Sequence, residues 1–314
     1  MELTILEVGN KGEMVHMLNK DLVQGSHETL EFKSCGEIQL YLDRYRASNT
    51  ARGCVAFLHG GALLLGGRSD LPEAVVHLLL EANFDVVSLD YRVLSEATLD
   101  EIHGDVRDGC RFVRNLYPSL PVVLAGYSAG AYLALASGIE NRLVDGICAF
   151  AGYGDLGAGW YREPSEFFRK YKDVSYVAER LADGLPFLSL DERIDLYVYL
   201  RQTGTWPQYA LGNQFSDSRL RGLSPLHNLT RHYPPTVLIH GTKDYDVPYS
   251  ASQDMALALT EAAVLHRLLL IPEMDHDLFA KVKLLEVRNA WIDALEFLVR
   301  STTSSTEAQD TRIC

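Results

Sequence analysis

A single serine stands between two glycines at Gly126-Tyr127-Ser128-Ala129-Gly130, where the apolar run "PVVLA" gives way to the alanine-rich "AYLALASGI". A serine hydroxyl is a weak nucleophile at neutral pH, so it needs an adjacent base and a site for developing negative charge. The spacing suits that use. A tight strand-to-helix turn lifts the serine to the C-terminal edge of a sheet, and glycines on either side let strand and helix approach. The amides that follow open a helix, whose N-terminus favours an anion. A glycine-rich turn with a capping serine has the same five-residue pattern, so the other parts of the chemistry must be found elsewhere in the chain.

A second glycine pair, Gly60 and Gly61, follows the apolar run "CVAFLHG" in "LHGGALLLGG". There the chain can turn sharply and aim backbone N–H groups into a site, as stabilising an oxyanion requires. The chain has ten histidines. His276, in "IPEMDHDLF", is the best placed general base, because it lies on a loop just after the apolar run "RLLLI", at the sheet edge that carries Ser128. His77 and His103 fall inside helical patterns, His240 ends a strand and His266 opens one. His59 precedes the glycine turn and suits a structural hydrogen bond. To orient the imidazole, "TVLIHGTKDYDVP" offers Asp244 and Asp246, and either carboxylate would serve. Asp275 and Asp277 flank His276 too closely to reach its ring at a good angle and read as solvated loop charges.

The elements that must position these residues are visible as alternation. From Gly53 onward, short apolar runs ("CVAFLHG", "FDVVSLD", "PVVLAGYS", "GICAFAG", "TVLIHG", "RLLLIPE") alternate with segments of helical period. This predicts an α/β fold with a mostly parallel sheet flanked by helices. Leu99, Ile102, Val106, Cys110 and Val113 recur at steps of three and four, as do Leu284, Val287, Trp291, Leu295 and Leu298, giving two amphipathic helices. "LEFKSCGEIQLYLDRYRA" reads as a hairpin turning at Ser34 to Gly36. The rhythm stops over residues 154–222, which hold 12 of the 30 aromatic residues and read as a helical cap inserted into a core of residues 1–153 and 223–300. Such an insert needs a core of its own and walls an apolar pocket. Residues 301–314 are polar and aperiodic and read as a disordered tail.

Composition narrows the partners. The chain has 314 residues, 47% of them hydrophobic, and a net charge of −13. With no basic run, it is an unsuitable partner for nucleic acid or an anionic membrane. Its five widely spaced cysteines do not make a disulfide framework, and Cys54 and Cys148 read as buried core thiols. The first twenty residues lack a signal-peptide pattern, and no stretch approaches the roughly 18 apolar residues of a membrane span. A reducing, cytoplasmic setting is expected, in which the sequon at Asn228 is a chance match.

With these pieces assembled, the chain resembles an α/β-hydrolase, most similar to the hormone-sensitive-lipase-like esterases and related fungal carboxylesterase-type hydrolases. The residues that carry the resemblance are "HGGA" at His59, "SLDYRV" at Ser88, "GYSAG" at Gly126, "HGTKDYDVP" at His240 and the loop His276. They span Gly53 to about Arg300 in the order Ser, Asp, His that this fold uses. The resemblance implies Ser128, Asp244 and His276 as a catalytic triad, with Asp246 the second choice of acid. It implies an oxyanion hole from the N–H groups of Gly61, Ala62 and Ala129, and a structural role for Asp90-Tyr91-Arg92. The chain departs from the family at Ala62, where glycine is common, and at "MDHDLF", which lacks a glycine before the histidine.

The expected reaction is acyl transfer to Ser128 followed by hydrolysis, with neither metal nor organic cofactor. The aromatic insert favours a hydrophobic ester or thioester, with Tyr127, Trp160, Tyr161 and Trp206 as candidate contacts. The same triad also suits an acyltransferase or thioester-releasing enzyme of polyketide biosynthesis, in which an acyl carrier protein would be the partner. A ligand-binding receptor on this fold is disfavoured, because the triad residues are all present.

Overall fold

The computed structural model describes residues 27–140, 143–187 and 189–310. The expectations about the N-terminal segment, with His16, and about residues 311–314, with Cys314, lie outside the described residues. Eight strands form one sheet: β1 (Glu28–Cys35), β2 (Ile38–Tyr45), β3 (Gly53–Leu58), β4 (Phe84–Leu89), β5 (Val122–Tyr127), β6 (Gly146–Phe150), β7 (Thr236–Gly241) and β8 (His266–Ile271). Their order is β1-β2-β4-β3-β5-β6-β7-β8. The pairs β1/β2 and β2/β4 are antiparallel and all the others parallel. β3 through β7 are buried along their whole length. That is why they appear in the sequence as unbroken apolar runs instead of alternating ones.

The hairpin turns one residue later than the sequence suggests. Cys35 stays in the ladder opposite Ile38, and the turn falls on Gly36 and Glu37, where Gly36 takes a φ of 66°. Only glycine holds that conformation without strain, so it fixes the turn.

Alternate strand residues feed two cores. Val55, Phe57, Val123, Ala125, Phe150, Val237 and Ile239 pack under α1 (Glu73–Glu81) and the C-terminal helix, whose Val287, Trp291, Leu295 and Leu298 are buried. Cys54, Ala56, Leu58, Leu124, Ile147 and Leu238 face α2 (Leu99–Leu116) and α3 (Ala129–Ser137). Thr98 and Glu101 close a capping box at the start of α2, which fixes where its apolar stripe begins. Cys54 and Cys148 are buried free thiols.

Between β6 and β7 the chain leaves the sheet and forms α4 (Gly159–Arg162), α5 (Glu166–Arg169), α6 (Tyr176–Ala182), α7 (Leu190–Thr203), α8 (Trp206–Leu211) and α9 (Asp217–Leu223). Their buried residues, Tyr161, Phe168, Val177, Tyr197 and Trp206 among them, belong to the same apolar cluster as α2 and α3. The inserted helices therefore share a core with the sheet instead of building a separate one. After β7 come α10 (Ser250–Glu261), β8 and α11 (Leu285–Asp310).

The backbone of α11 is helical as far as Asp310. Neither proline nor glycine interrupts residues 301–310, and Ser301 donates its hydroxyl back to the Phe297 carbonyl at 2.7 Å. Among the described residues, no helix is long and apolar enough to cross a membrane.

Candidate active site

β3 and β5 are neighbours, but the chain departs from them toward opposite sides of the sheet. Their carboxyl ends are thus a switch point, where open α/β sheets form crevices. Ser128 stands there, one residue beyond β5. Its backbone has φ 54° and ψ −119°, a strained conformation that persists only when its surroundings enforce it. The enforcement is steric. A Cβ at Gly126 would lie 2.2 Å from the Gly130 carbonyl oxygen, and a Cβ at Gly130 would lie 2.2 Å from that of Leu58. The Ser128 amide donates to the Phe150 carbonyl at 2.9 Å, which ties the turn to β6.

β7 and β8 deliver the other two groups to the same edge. His276 opens a short 3₁₀ turn, and its Nε2 lies 3.1 Å from Ser128 Oγ. Its Nδ1 donates to Asp244 Oδ2 at 2.8 Å. The Asp244 carboxylate also meets His240 Nε2 at 3.0 Å and accepts the amides of Asp246 and Val247, both at 2.9 Å. Burial alone would raise its pKa. The His276 charge and the hydrogen bonds from both histidines outweigh that and hold it well below the usual carboxylate range. His276 moves the other way: burial opposes its charge, but Asp244, with help from Asp246 and Asp277, raises it to about 9. Of the two acids left open by the residue pattern, Asp244 is the one on Nδ1. Asp246 places Oδ2 3.9 Å from Nε2, on the opposite edge of the ring.

The glycine turn after β3 runs through three successive left-handed residues, Gly61 (φ 105°), Ala62 (φ 54°) and Leu63 (φ 62°). A Cβ at Gly61 would lie 2.2 Å from the Leu65 carbonyl oxygen. Ala62, the family departure, adopts the conformation that glycine would hold more easily. His59 has the structural part expected of it. Its ring stacks on Tyr91 with centroids 3.9 Å apart, and Nδ1 lies 2.8 Å from the Gly60 carbonyl oxygen. Burial lowers its pKa to about 4, so it stays neutral. Asp90, Tyr91 and Arg92 are likewise structural: Asp90 pairs with Arg68, the Tyr91 hydroxyl donates to the His59 carbonyl, and Arg92 grips Asp105 through two hydrogen bonds.

Two expectations need correction. Asp275 and Asp277 are half-buried rather than solvated. Asp275 caps the 3₁₀ turn and pairs with Lys281 at 2.6 Å, and Asp277 is close enough to His276 to affect its charge. The acids next to His276 thus serve its loop and its field.

The aromatic candidates separate by environment. Tyr127 braces His276, with its ring 5.2 Å from that imidazole and 5.4 Å from Phe279. Tyr161 and Trp206 are enclosed and stack at 4.5 Å, and the Trp206 indole N–H donates to the Ala62 carbonyl at 3.1 Å. Trp160 is half-buried and stacks on Tyr161 at 3.9 Å.

Sequence reasoning missed three participants. His240 was read only as a strand end, although its spacing of four from Asp244 was a usable signal. Tyr197 and Arg201 carry no such signal, because α7 reaches the acid loop only in three dimensions. Tyr197 donates its hydroxyl to Asp246 Oδ1 at 2.6 Å, and Arg201 donates to the carbonyls of Asp246 and Trp160 at 2.8 and 2.7 Å. Among the described residues, no group of three or more His, Cys, Asp or Glu is arranged to hold a metal ion.

Two family models match the chain, BD-FAE over residues 38–154 and the prolyl oligopeptidase family over residues 191–301. Among curated relatives, a non-reducing polyketide synthase of Penicillium roqueforti is 25% identical over 276 residues, covering 71% of this chain and 11% of that protein. A probable isoprenylcysteine alpha-carbonyl methylesterase of Arabidopsis thaliana is 26% identical over 254 residues, covering 76% of this chain and 48% of that one. The chain thus spans about a ninth of the length of the synthase and about half that of the methylesterase. Among solved structures, an alpha/beta hydrolase superfamily protein from Enterococcus faecalis superposes with a TM-score of 0.68 at 20% identity, covering 88% of this chain and 99% of that one. The sheet order, the serine turn at the switch point and these matches agree on one architecture: the chain has the α/β-hydrolase fold.

Proposed function

We propose that the protein cleaves a carboxylic ester or thioester of a hydrophobic small molecule through an acyl-enzyme on Ser128. The observation that carries this reading is the continuous line from Ser128 Oγ to His276 Nε2 at 3.1 Å and from His276 Nδ1 to Asp244 at 2.8 Å. As Oγ bonds to the carbonyl carbon, its proton passes to Nε2, and Asp244 stabilises the imidazolium and keeps the ring in the working tautomer. The carbonyl oxygen becomes an oxyanion, for which the N–H groups of Gly61, Ala62 and Ala129 are the proposed donors. His276 then protonates the leaving group, and the acyl carbon stays on Oγ. Water that gives its proton to Nε2 attacks the acyl-enzyme, releasing the acid and restoring the serine.

The inserted helices roof the site in this reading. Tyr127, Tyr161 and Trp206 frame the pocket, and Trp160, less enclosed, is the candidate to meet the acyl chain. The cytoplasmic setting read from the sequence belongs to the same proposal. A second reading, transfer or release of a polyketide acyl thioester delivered by a carrier protein, is favoured by the matches to non-reducing polyketide synthases. Assaying products with and without an added alcohol acceptor separates the two.

The primary test is the intact mass after treatment with a fluorophosphonate. One adduct, lost in Ser128→Ala, supports the reading. No adduct on folded wild-type protein overturns it.

A further inference from the structure

The base is flanked by carboxylates on both edges of its ring, and the triad uses only one. Asp246 is nearly enclosed, and its two oxygens are used differently. Oδ1 takes the Tyr197 hydroxyl at 2.6 Å and lies 3.3 Å from Arg201 Nε. Oδ2 is directed at His276 Nε2, 3.9 Å away, beside the point where Ser128 Oγ meets the same nitrogen. Arg201 is itself sequestered, with its guanidinium carbon 5.0 to 5.3 Å from the ring centroids of Trp160, Tyr161 and Phe168. Its bonds to two backbone carbonyls hold that cation in place whatever the Asp246 side chain does.

At 3.9 Å the Asp246 contact is too long for a hydrogen bond and acts through charge. When the imidazole is neutral, Nε2 accepts the serine proton. Once Nε2 carries that proton, a carboxylate beside it favours the imidazolium. We infer that Asp246 is a positioning residue for the reaction, an electrostatic partner of the His276 imidazolium held in register by Tyr197 and Arg201 of the inserted helices. This rests on the reading of Ser128, His276 and Asp244 as a triad.

The other titratable and charged groups around the ring belong to different elements. Asp275, Asp277 and Lys281 lie on its own turn, Asp244 and Tyr245 on the loop after β7, Tyr127 on the serine elbow, and His240 behind Asp244. Of these acids, Asp246 alone is coupled to the inserted helices and faces the proton-transfer nitrogen.

The test is the pH dependence, from about pH 5 to 10, of the rate at which a fluorophosphonate labels Ser128, which needs no knowledge of the natural substrate. Asp246→Asn keeps the shape and lets Tyr197 and Arg201 keep an oxygen partner. Its acid-side midpoint should fall by roughly one pH unit relative to wild type. Tyr197→Phe leaves the carboxylate but removes a donor from it, so the midpoint should rise. A lower rate at every pH with an unmoved midpoint in Asp246→Asn would mean a merely structural residue and would overturn the inference. If Asp246→Asn does not fold, Tyr197→Phe decides, and an unmoved midpoint there overturns it as well. Absence of labelling in the wild type would instead sink the triad itself, so the two failures are distinguishable.

Discussion

Trp206→Phe would isolate a bond that joins the inserted helices to the proposed oxyanion turn. The indole is fully buried, stacks on Tyr161 and donates to the Ala62 carbonyl at 3.1 Å. Phenylalanine retains an aromatic ring but deletes the N–H, leaving a buried carbonyl without that donor. The penalty for such an orphaned group is about 1–3 kcal/mol. Ala62 already sits at φ 54°, where its backbone has little tolerance for losing a restraint. If the penalty falls on the transition state, kcat drops about 5- to 150-fold, since each 1.36 kcal/mol is a decade. KM should change little, because an oxyanion contact is made in the transition state and not in the ground state. The assay is steady-state hydrolysis of a p-nitrophenyl ester, with thermal unfolding followed in parallel. A midpoint lowered by a few degrees with kcat within twofold of wild type would refute the reasoning, because the bond would then serve packing alone.

Other outcomes follow from the same geometry. Asp244→Asn should reduce kcat by about four decades while leaving the fluorophosphonate site in place, since an amide in that nest cannot accept from both histidines and both amides; stopped-flow or long-time-course assays would measure it. Gly126→Ala should cost at least about 3 kcal/mol, read by denaturant unfolding or by insoluble expression, because its methyl would have to occupy space filled by the Gly130 carbonyl. As the proposed base, His276 must be neutral, and burial loses to the surrounding acids in setting its pKa, so kcat/KM should climb from neutral pH toward about 9. In stability the sign is opposite. A group whose pKa is raised on folding stabilises the fold below its unfolded value near 6.5, and that contribution is lost as pH rises through about 9. Urea midpoints across that window, compared with His276→Ala, would measure it.

What could be read from the chain divides by whether the cause is local. The serine elbow was legible because its glycines are required within five residues, by contacts now measurable at 2.2 Å. The acid loop and His276 were legible because each lies in the loop that follows a strand of the sheet, and parallel strands bring such loops to one edge; between Asp244 and Asp246 only the family resemblance chose. The roles of Tyr197, Arg201 and Trp206 were not legible. Their partners are 49, 45 and 144 residues away, and nothing in the local pattern of α7 or α8 distinguishes them from residues that fill a small core. The error over Asp275 and Asp277 has a related origin. Charge suggests solvent, but a short turn between a strand and a long helix leaves little room for it.

The bonds from Tyr197, Arg201 and Trp206 divide the inserted helices into positions that can vary and positions that cannot. A graft that replaced this segment with one from another hydrolase would remove the restraints on the acid loop and on the Ala62 turn together. Altered substrate range is therefore more accessible through exposed residues beside the base, such as Phe167 and Tyr245, whose rings stack at 4.5 Å. A mutational library confined to such positions would sample new pockets without disturbing the restraints on the reacting groups.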